Sequence, residues 1–215
     1  FQRFITADIP EATWKNVGAP EEVDDLRRAA IEATTLRDAL EVCLRDADPT
    51  DHLNLNSRAA LARSLVRETP VPESIKSAIA AEYGKLCEMY SPGVDVAVRS
   101  SATTEDSADA SFAGQYESYL NVSGEQDIIE KWRRCVASMF TERAIGYHLE
   151  HNMHPLDSAI AVVVMKMARS DKGSSGVMFT IDPDSGHEGV IHIGSSYGLG
   201  ELAVSYTHLR AHETT

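Results

Sequence analysis

Cysteine is scarce in this chain: Cys43, Cys87 and Cys135 are the only three. They lie far apart, in no paired spacing that would close a zinc site or a disulfide framework, and read as reduced thiols packed in helices. No apolar run approaches the roughly 20 residues that cross a bilayer, and no signal-peptide pattern opens the chain. Positive charge is also short, with 20 Lys and Arg against 33 Asp and Glu and a formal net charge of −13. A nucleic-acid surface needs a basic face to displace counterions, so that class is excluded. A nucleotide site needs only a few local cations and survives. The expectation is a cytoplasmic protein that touches neither nucleic acid nor membrane, in one domain or two small ones.

What is present changes character along the chain. Val23, Leu26, Ala30, Ala33, Leu36, Leu40 and Leu44 recur at three- and four-residue steps, which predicts one amphipathic helix from Glu21 to Asp48. A second is expected over Ser57 to Arg67, and a third from Pro72 to about Tyr90, broken by Ser91-Pro92-Gly93. Residues 1–92 are thus read as mainly helical. From Val94 the period becomes two, with Val94, Val96 and Val98 alternating against Asp95, Ala97 and Arg99 as in a half-buried strand. A long helix is predicted from Glu125 to His151. Short β-branched segments follow at Ala159 to Met167, Gly176 to Ile181 and Val190 to Ile193. Residues 93–204 therefore read as α+β with a largely antiparallel sheet.

The most telling stretch is Val96-Ala97-Val98-Arg99-Ser100-Ser101-Ala102-Thr103-Thr104-Glu105-Asp106, closed by Ala110-Ser111-Phe112-Ala113-Gly114-Gln115. A strand delivers an arginine at its end, then enters a run of small hydroxyl-bearing and glycine residues. Arginine offers a rigid fork of donors that matches phosphate oxygens two at a time; Ser and Thr hydroxyls and backbone N–H groups fill the remaining lone pairs. Arg99 is the first candidate, its competing reading being a surface arginine paired with an acid. Ser101, Thr103 and Thr104 are candidate hydroxyl donors, and Gly114 permits close backbone approach. Glu105, Asp106 and Asp109 would repel phosphate if turned inward, so they read as solvated or capping acids rather than metal ligands.

The block from Val96 to Val122 resembles the ATP-binding domain of the pyruvate phosphate dikinase family, phosphoenolpyruvate synthases (pyruvate, water dikinases) in particular. The likeness continues in Phe140-Thr141-Glu142-Arg143-Ala144-Ile145, Arg169-Ser170-Asp171, Ser174-Ser175-Gly176-Val177-Met178-Phe179-Thr180-Ile181-Asp182 and Tyr197-Gly198-Leu199-Gly200-Glu201. It implies an ATP-grasp-like architecture, here incomplete, with Arg99 on the ATP phosphates as the phosphoryl bond breaks. It adds Gln115 and Glu117 at the close of the phosphate loop, and Met165, Lys166 and Met167 as the strand and linker whose backbone reads the adenine edge. A Met stripe in a buried strand is otherwise plain core. Tyr116 and Met165 stand where relatives commonly carry glutamine. Asp182 and Glu201 are read either as polar liners of the cleft or as turn carboxylates without catalytic duty.

In the intact enzyme the resemblance implies that ATP and Mg2+ bind here. A pyrophosphoryl group passes to a histidine on a mobile phosphohistidine domain, and a third domain converts pyruvate to phosphoenolpyruvate. The family's glycine-rich lysine loop would lie upstream of Phe1 and its main metal ligands downstream of Val204, so no metal ligand is assigned and the chain alone is expected to be an inactive fragment. Residues 205–215 resemble translated adapter read-through and are expected to be non-native, the alternative being a divergent terminus. Other readings are the same domain of pyruvate, phosphate dikinase or of an antibiotic phosphotransferase such as rifampin phosphotransferase, and a non-catalytic nucleotide-binding module. His148, His151 and His154 could gather loosely at a helix end, but a solvated end accounts for them better than a metal site.

Overall fold

The computed structural model describes residues 1–102, 106, 107, 110, 111 and 117–200. The chain forms two compact units, Phe1–Met167 and a second beginning at Ala168, and each is described by itself.

The first unit begins with a short helix α1 (Gln2–Ile5) and then α2 (Asp24–Ile31), α3 (Leu36–Leu44), α4 (His52–Glu68) and α5 (Glu73–Met89). The single helix expected over Glu21 to Asp48 is therefore two helices. Thr35 makes the break: its hydroxyl accepts the Asp38 N–H at 3.2 Å and donates to the Asp38 carboxylate at 2.7 Å, a side-chain cap that starts a new helix. The N-terminal segment uses the gap, since Thr34 O accepts the Ile9 N–H and Ala7 O accepts the Leu36 N–H. Asp51 starts α4 in the same way, accepting the Asn54 N–H at 3.0 Å, so α4 begins five residues earlier than Ser57.

The long helix expected over Glu125 to His151 also divides, into α6 (Glu125–Ala137), a 3-10 turn at Ser138–Phe140 and α7 (Glu142–Glu150). The Ser138 hydroxyl donates back to Cys135 O at 2.7 Å, the Thr141 hydroxyl donates to Ser138 O at 3.2 Å, and Thr141 accepts the Ala144 N–H at 3.2 Å. Hydroxyls thus take over the backbone groups that a continuous helix would pair.

The strands of this unit are β1 (Val96–Ala102), β2 (Asp106–Ser107), β3 (Ala110–Ser111), β4 (Ser118–Val122) and β5 (Ile160–Lys166). One sheet has the order β4-β1-β5, antiparallel throughout, while β2 and β3 pair with each other. β1 is central among the described strands. Val96 and Val98 are fully buried and pack with Tyr83, Val94, Val122, Ile128 and Cys135 into a small core behind the sheet. A larger core joins the helices around Leu36, Leu40, Leu61, Leu65, Phe140 and Ile145, and Phe4 meets Trp132 edge to face at 5.5 Å. Each such side chain contributes about 1.5–3 kcal/mol by leaving water.

The second unit holds β6 (Ser174–Phe179) and β7 (His192–Tyr197), paired antiparallel from Ser174↔Tyr197 to Phe179↔His192. The segment expected at Val190 to Ile193 is displaced toward the C-terminus because this register ends at His192. Gly176 is obligatory for the pairing: a Cβ there would stand 2.2 Å from the Gly194 carbonyl oxygen. Across both units the observed architecture is mixed helix and sheet with small antiparallel sheets, in agreement with the α+β reading.

Candidate functional site

β1 presents two faces. Val96 and Val98 turn to the helices, so Ala97, Arg99 and Ser101 belong to the opposite face by the strand's period of two. Register brings neighbours to that face: Arg99 is opposite Val163 on β5 and Ser118 on β4, and Ala97 is opposite Met165. Val163 is 43% exposed and Met165 45%, so an apolar strip lies uncovered beside the guanidinium. Arg99 is exposed and forms no hydrogen bond or ion pair among the described residues. An exposed arginine next to an open apolar strip can meet a ligand that is anionic at one end and flat and apolar at the other.

Glu117 lies where the chain re-enters the sheet, and its backbone is held three ways. Its N–H donates to the Ser138 hydroxyl at 3.4 Å, and its carbonyl accepts from the Ser100 hydroxyl at 3.3 Å and the Cys135 thiol at 3.4 Å. Burial, reinforced by the charge of Glu117, pushes the Cys135 thiol up to about 12, so it is a neutral donor. The Glu117 carboxylate accepts the Tyr119 hydroxyl. Burial first, then that hydrogen bond and the carboxylate charge, raise the Tyr119 phenol above its ordinary range.

Of the other residues singled out in the sequence, Ser101 is exposed on the Arg99 face at the end of β1, and Met165 shares that face. Lys166 pairs with buried Val96 and carries its ammonium over the Tyr90 ring at 4.9 Å, on the helix side; Met167 is buried, its N–H donating to Asp95 O at 2.9 Å. Asp182, in the second unit, organises a turn: its carboxylate accepts the Ser185 hydroxyl and the Asp184 N–H, which hold its pKa down. Thr103, Thr104, Gly114, Gln115 and Glu201 lie outside the described residues.

His151 and His154 are exposed, as expected of a solvated helix end, and His148 departs from it. His148 is fully buried, with Nδ1 2.7 Å from Ala144 O and Nε2 2.8 Å from the Ser158 hydroxyl, so the neutral ring donates from Nδ1 and accepts at Nε2. His151 is exposed and stacks on Tyr147 at 4.0 Å, and His154 caps the turn at Pro155. Among the described residues no three His, Cys, Asp or Glu groups gather as for a metal ion. No helix there is long and apolar enough to cross a membrane. All three cysteines are free thiols.

Residues 24–208 match the AMP/ATP-binding domain of pyruvate phosphate dikinase. The chain belongs to this family. Among curated relatives, it is 45% identical over 204 residues to phosphoenolpyruvate synthase of Synechocystis sp., covering 91% of this chain and 25% of that protein. It is 40% identical over 215 residues to phosphoenolpyruvate synthase of Aquifex aeolicus, with 92% and 25% covered. It is 46% identical over 178 residues to probable phosphoenolpyruvate synthase of Archaeoglobus fulgidus, with 83% and 23% covered. The chain spans about a quarter of the length of these relatives. The resemblance first seen around Arg99 thus extends to family membership over most of the chain.

One feature of this dikinase-family domain escaped the sequence. A cavity of about 820 Å3 opens between α4 and α7, lined among others by Arg63, Arg67 and Arg143 and by His52, Glu117 and Glu142. The signals were present but separate: Arg63 and Arg67 are four apart on α4, and Arg143 lies in the Phe140 to Ile145 motif.

Proposed function

We propose that this chain is the ATP-binding part of a phosphoenolpyruvate synthase. In the intact protein it would hold ATP while a pyrophosphoryl group passes to a histidine on another domain, on the way from pyruvate to phosphoenolpyruvate. The supporting observation is Arg99: a guanidinium without an ion-pair partner among the described residues, midway along a central strand that runs on to Ala102 rather than ending at the arginine, beside the uncovered Val163 and Met165 strip. Membership of an AMP/ATP-binding family supports the ligand. In this reading the nucleotide lies against the open sheet face of an ATP-grasp-like domain, with the base toward β5 and the phosphates toward Arg99, Ser101 and the loop of Thr103, Thr104, Gly114 and Gln115. Preorganised donors then stabilise charge that develops on the transferred group.

Magnesium would neutralise charge on phosphate oxygens in such a reaction. The described residues do not gather a carboxylate set for it, so no step is derived through the metal. The phosphohistidine and pyruvate sites belong to parts of the relatives that this chain does not span, and the chain alone is proposed to turn nothing over. The decisive experiment replaces Arg99 by Ala in the full-length protein and follows ATP-dependent histidine phosphorylation with labelled ATP. A loss of at least 100-fold is expected, about the magnitude for one transition-state donor. Phosphorylation at the unaltered rate would remove Arg99 from the site.

A further inference from the structure

The cavity between α4 and α7 is lined by three guanidinium groups and three carboxylates, and among the described residues none of these pairs makes a salt bridge. Arg63 is half-buried, and its Nη1 donates to the neutral carbonyl of Phe140 at 3.1 Å; among the described residues no carboxylate lies within ion-pair distance of it. Arg67, one turn further along α4, and Arg143, in the first turn of α7, form no hydrogen bond or ion pair among the described residues. Of the three carboxylates on the lining, Glu142 is hydrogen-bonded to His52 at 3.2 Å and Glu117 to the Tyr119 hydroxyl, so their hydrogen bonds go to groups other than the arginines while their charges still act on Arg63. Desolvation, with Arg67 adding to it, pushes the Arg63 guanidinium down against the pull of Glu117 and Glu142. A guanidinium taken partly out of water without an anion is costly, and one that fits its fork relieves the cost.

We infer that this cavity is a second anion site, separate from the Arg99 face, which binds a phosphomonoester dianion through Arg63, Arg67 and Arg143. Phosphate is favoured because three guanidinium groups from two helices can each offer paired donors to a tetrahedral dianion. The cavity is of small-molecule size, far larger than one phosphate, so the ester's organic part has room. Glu150 and the free lone pairs of Glu117 and Glu142 are acceptors for hydroxyl groups on that part.

The test is calorimetric titration of the 215-residue chain with glycerol 2-phosphate, and in a second arm with inorganic phosphate, at constant ionic strength. Saturable binding of the ester is expected, tighter than that of inorganic phosphate. Arg67→Gln and Arg143→Gln remove exposed side chains without core contacts, and each should weaken ester binding about tenfold, the size of one charge-assisted hydrogen bond. Arg28→Gln, an exposed change on α2, should leave it unaltered, and circular dichroism checks that each variant is folded. Arg99→Gln separates this inference from the nucleotide reading. If it removes ester binding while Arg67→Gln does not, the anion occupies the Arg99 face and the second site is overturned. Equal affinity for ester and inorganic phosphate would overturn the ester assignment, and no saturable binding in either arm would overturn the site itself.

Discussion

Replacing Tyr83 by Phe removes one oxygen that holds two strands at once. The hydroxyl, on α5, donates to Val94 O at 3.1 Å and accepts the Gly124 N–H at 3.0 Å, joining the entrance of β1 to the exit of β4. Its environment is apolar, and burial is the main reason its phenol titrates above the ordinary range. The two partners differ in what the loss costs them. Val94 is buried, so its carbonyl is left without a donor, whereas Gly124 is exposed and its N–H can turn to water. Charging the penalty to Val94 alone, at about 1–3 kcal/mol for an unsatisfied buried group, predicts a destabilisation of about 1–3 kcal/mol. For a unit of this size that is a fall in Tm of roughly 2–12 °C. Urea unfolding followed by tryptophan fluorescence reports this unit specifically, because both tryptophans, Trp14 and Trp132, belong to it. The midpoint should fall with an unchanged m-value. Tyr90→Phe, a change at an exposed phenol, should stay within about 0.5 kcal/mol. A Tyr83→Phe effect no larger than that would refute the claim that this hydroxyl joins the strands.

Acid should act on the first unit through His148. Burial holds its pKa below the usual imidazole value, outweighing the Ala144 hydrogen bond, and His151 and His154 push the same way as burial. The unfolded chain takes up the proton near pH 6.5 and the fold only at lower pH, so the contribution is complete above about pH 6.5 and declines as pH falls below it. Tm measured from pH 8 to 5 should drop in that lower range, and His148→Gln should flatten the drop while lowering Tm at pH 8; parallel curves would exclude the residue. The glycines separate by surroundings. Gly176→Ala drives a Cβ to 2.2 Å from a backbone oxygen and should abolish amide protection along the β6 and β7 pairing, read by hydrogen exchange. Gly84→Ala, in α5 with no atom within 4 Å of the added carbon, should stabilise by about 0.5–1 kcal/mol in urea unfolding.

How legible these features were depended on whether their signal was periodic and local. α5 and β1 were readable because Ile75, Ile79, Tyr83 and Leu86 keep a helical step and Val94, Val96 and Val98 keep a strand's. Thr35 and Thr141 were not recognised as breaks. A threonine within a periodic apolar pattern resembles an ordinary polar-face residue until its hydroxyl is seen to cap the next turn. His148 misled for the converse reason: three histidines at three-residue spacing suggest a wet helix end, yet the first of them faces the core and satisfies both ring nitrogens there. The Arg99 face was half visible. Alternation placed Arg99 and Ser101 together, but only the β1–β5 register could bring Val163 and Met165 beside them and turn Lys166 to the other side. The arginine cavity was invisible, since its walls come from helices about 75 residues apart in sequence.

The supports of β1 and β4 lie at both ends of the pair. At one end the Tyr83 hydroxyl joins Val94 to Gly124; toward the other, Ser100, Cys135 and Ser138 fix the backbone of Glu117. The sequence in between is rich in small, hydroxyl-bearing and glycine residues. Both flanks are tied to α5 and α6, helices whose apolar faces are buried behind the sheet. The strand that bears Arg99 is therefore supported at both ends, while Arg99 itself is exposed beside Val163 and Met165. Under the proposed function that combination would favour anion binding at Arg99, because a donor already fixed in place loses little entropy on binding.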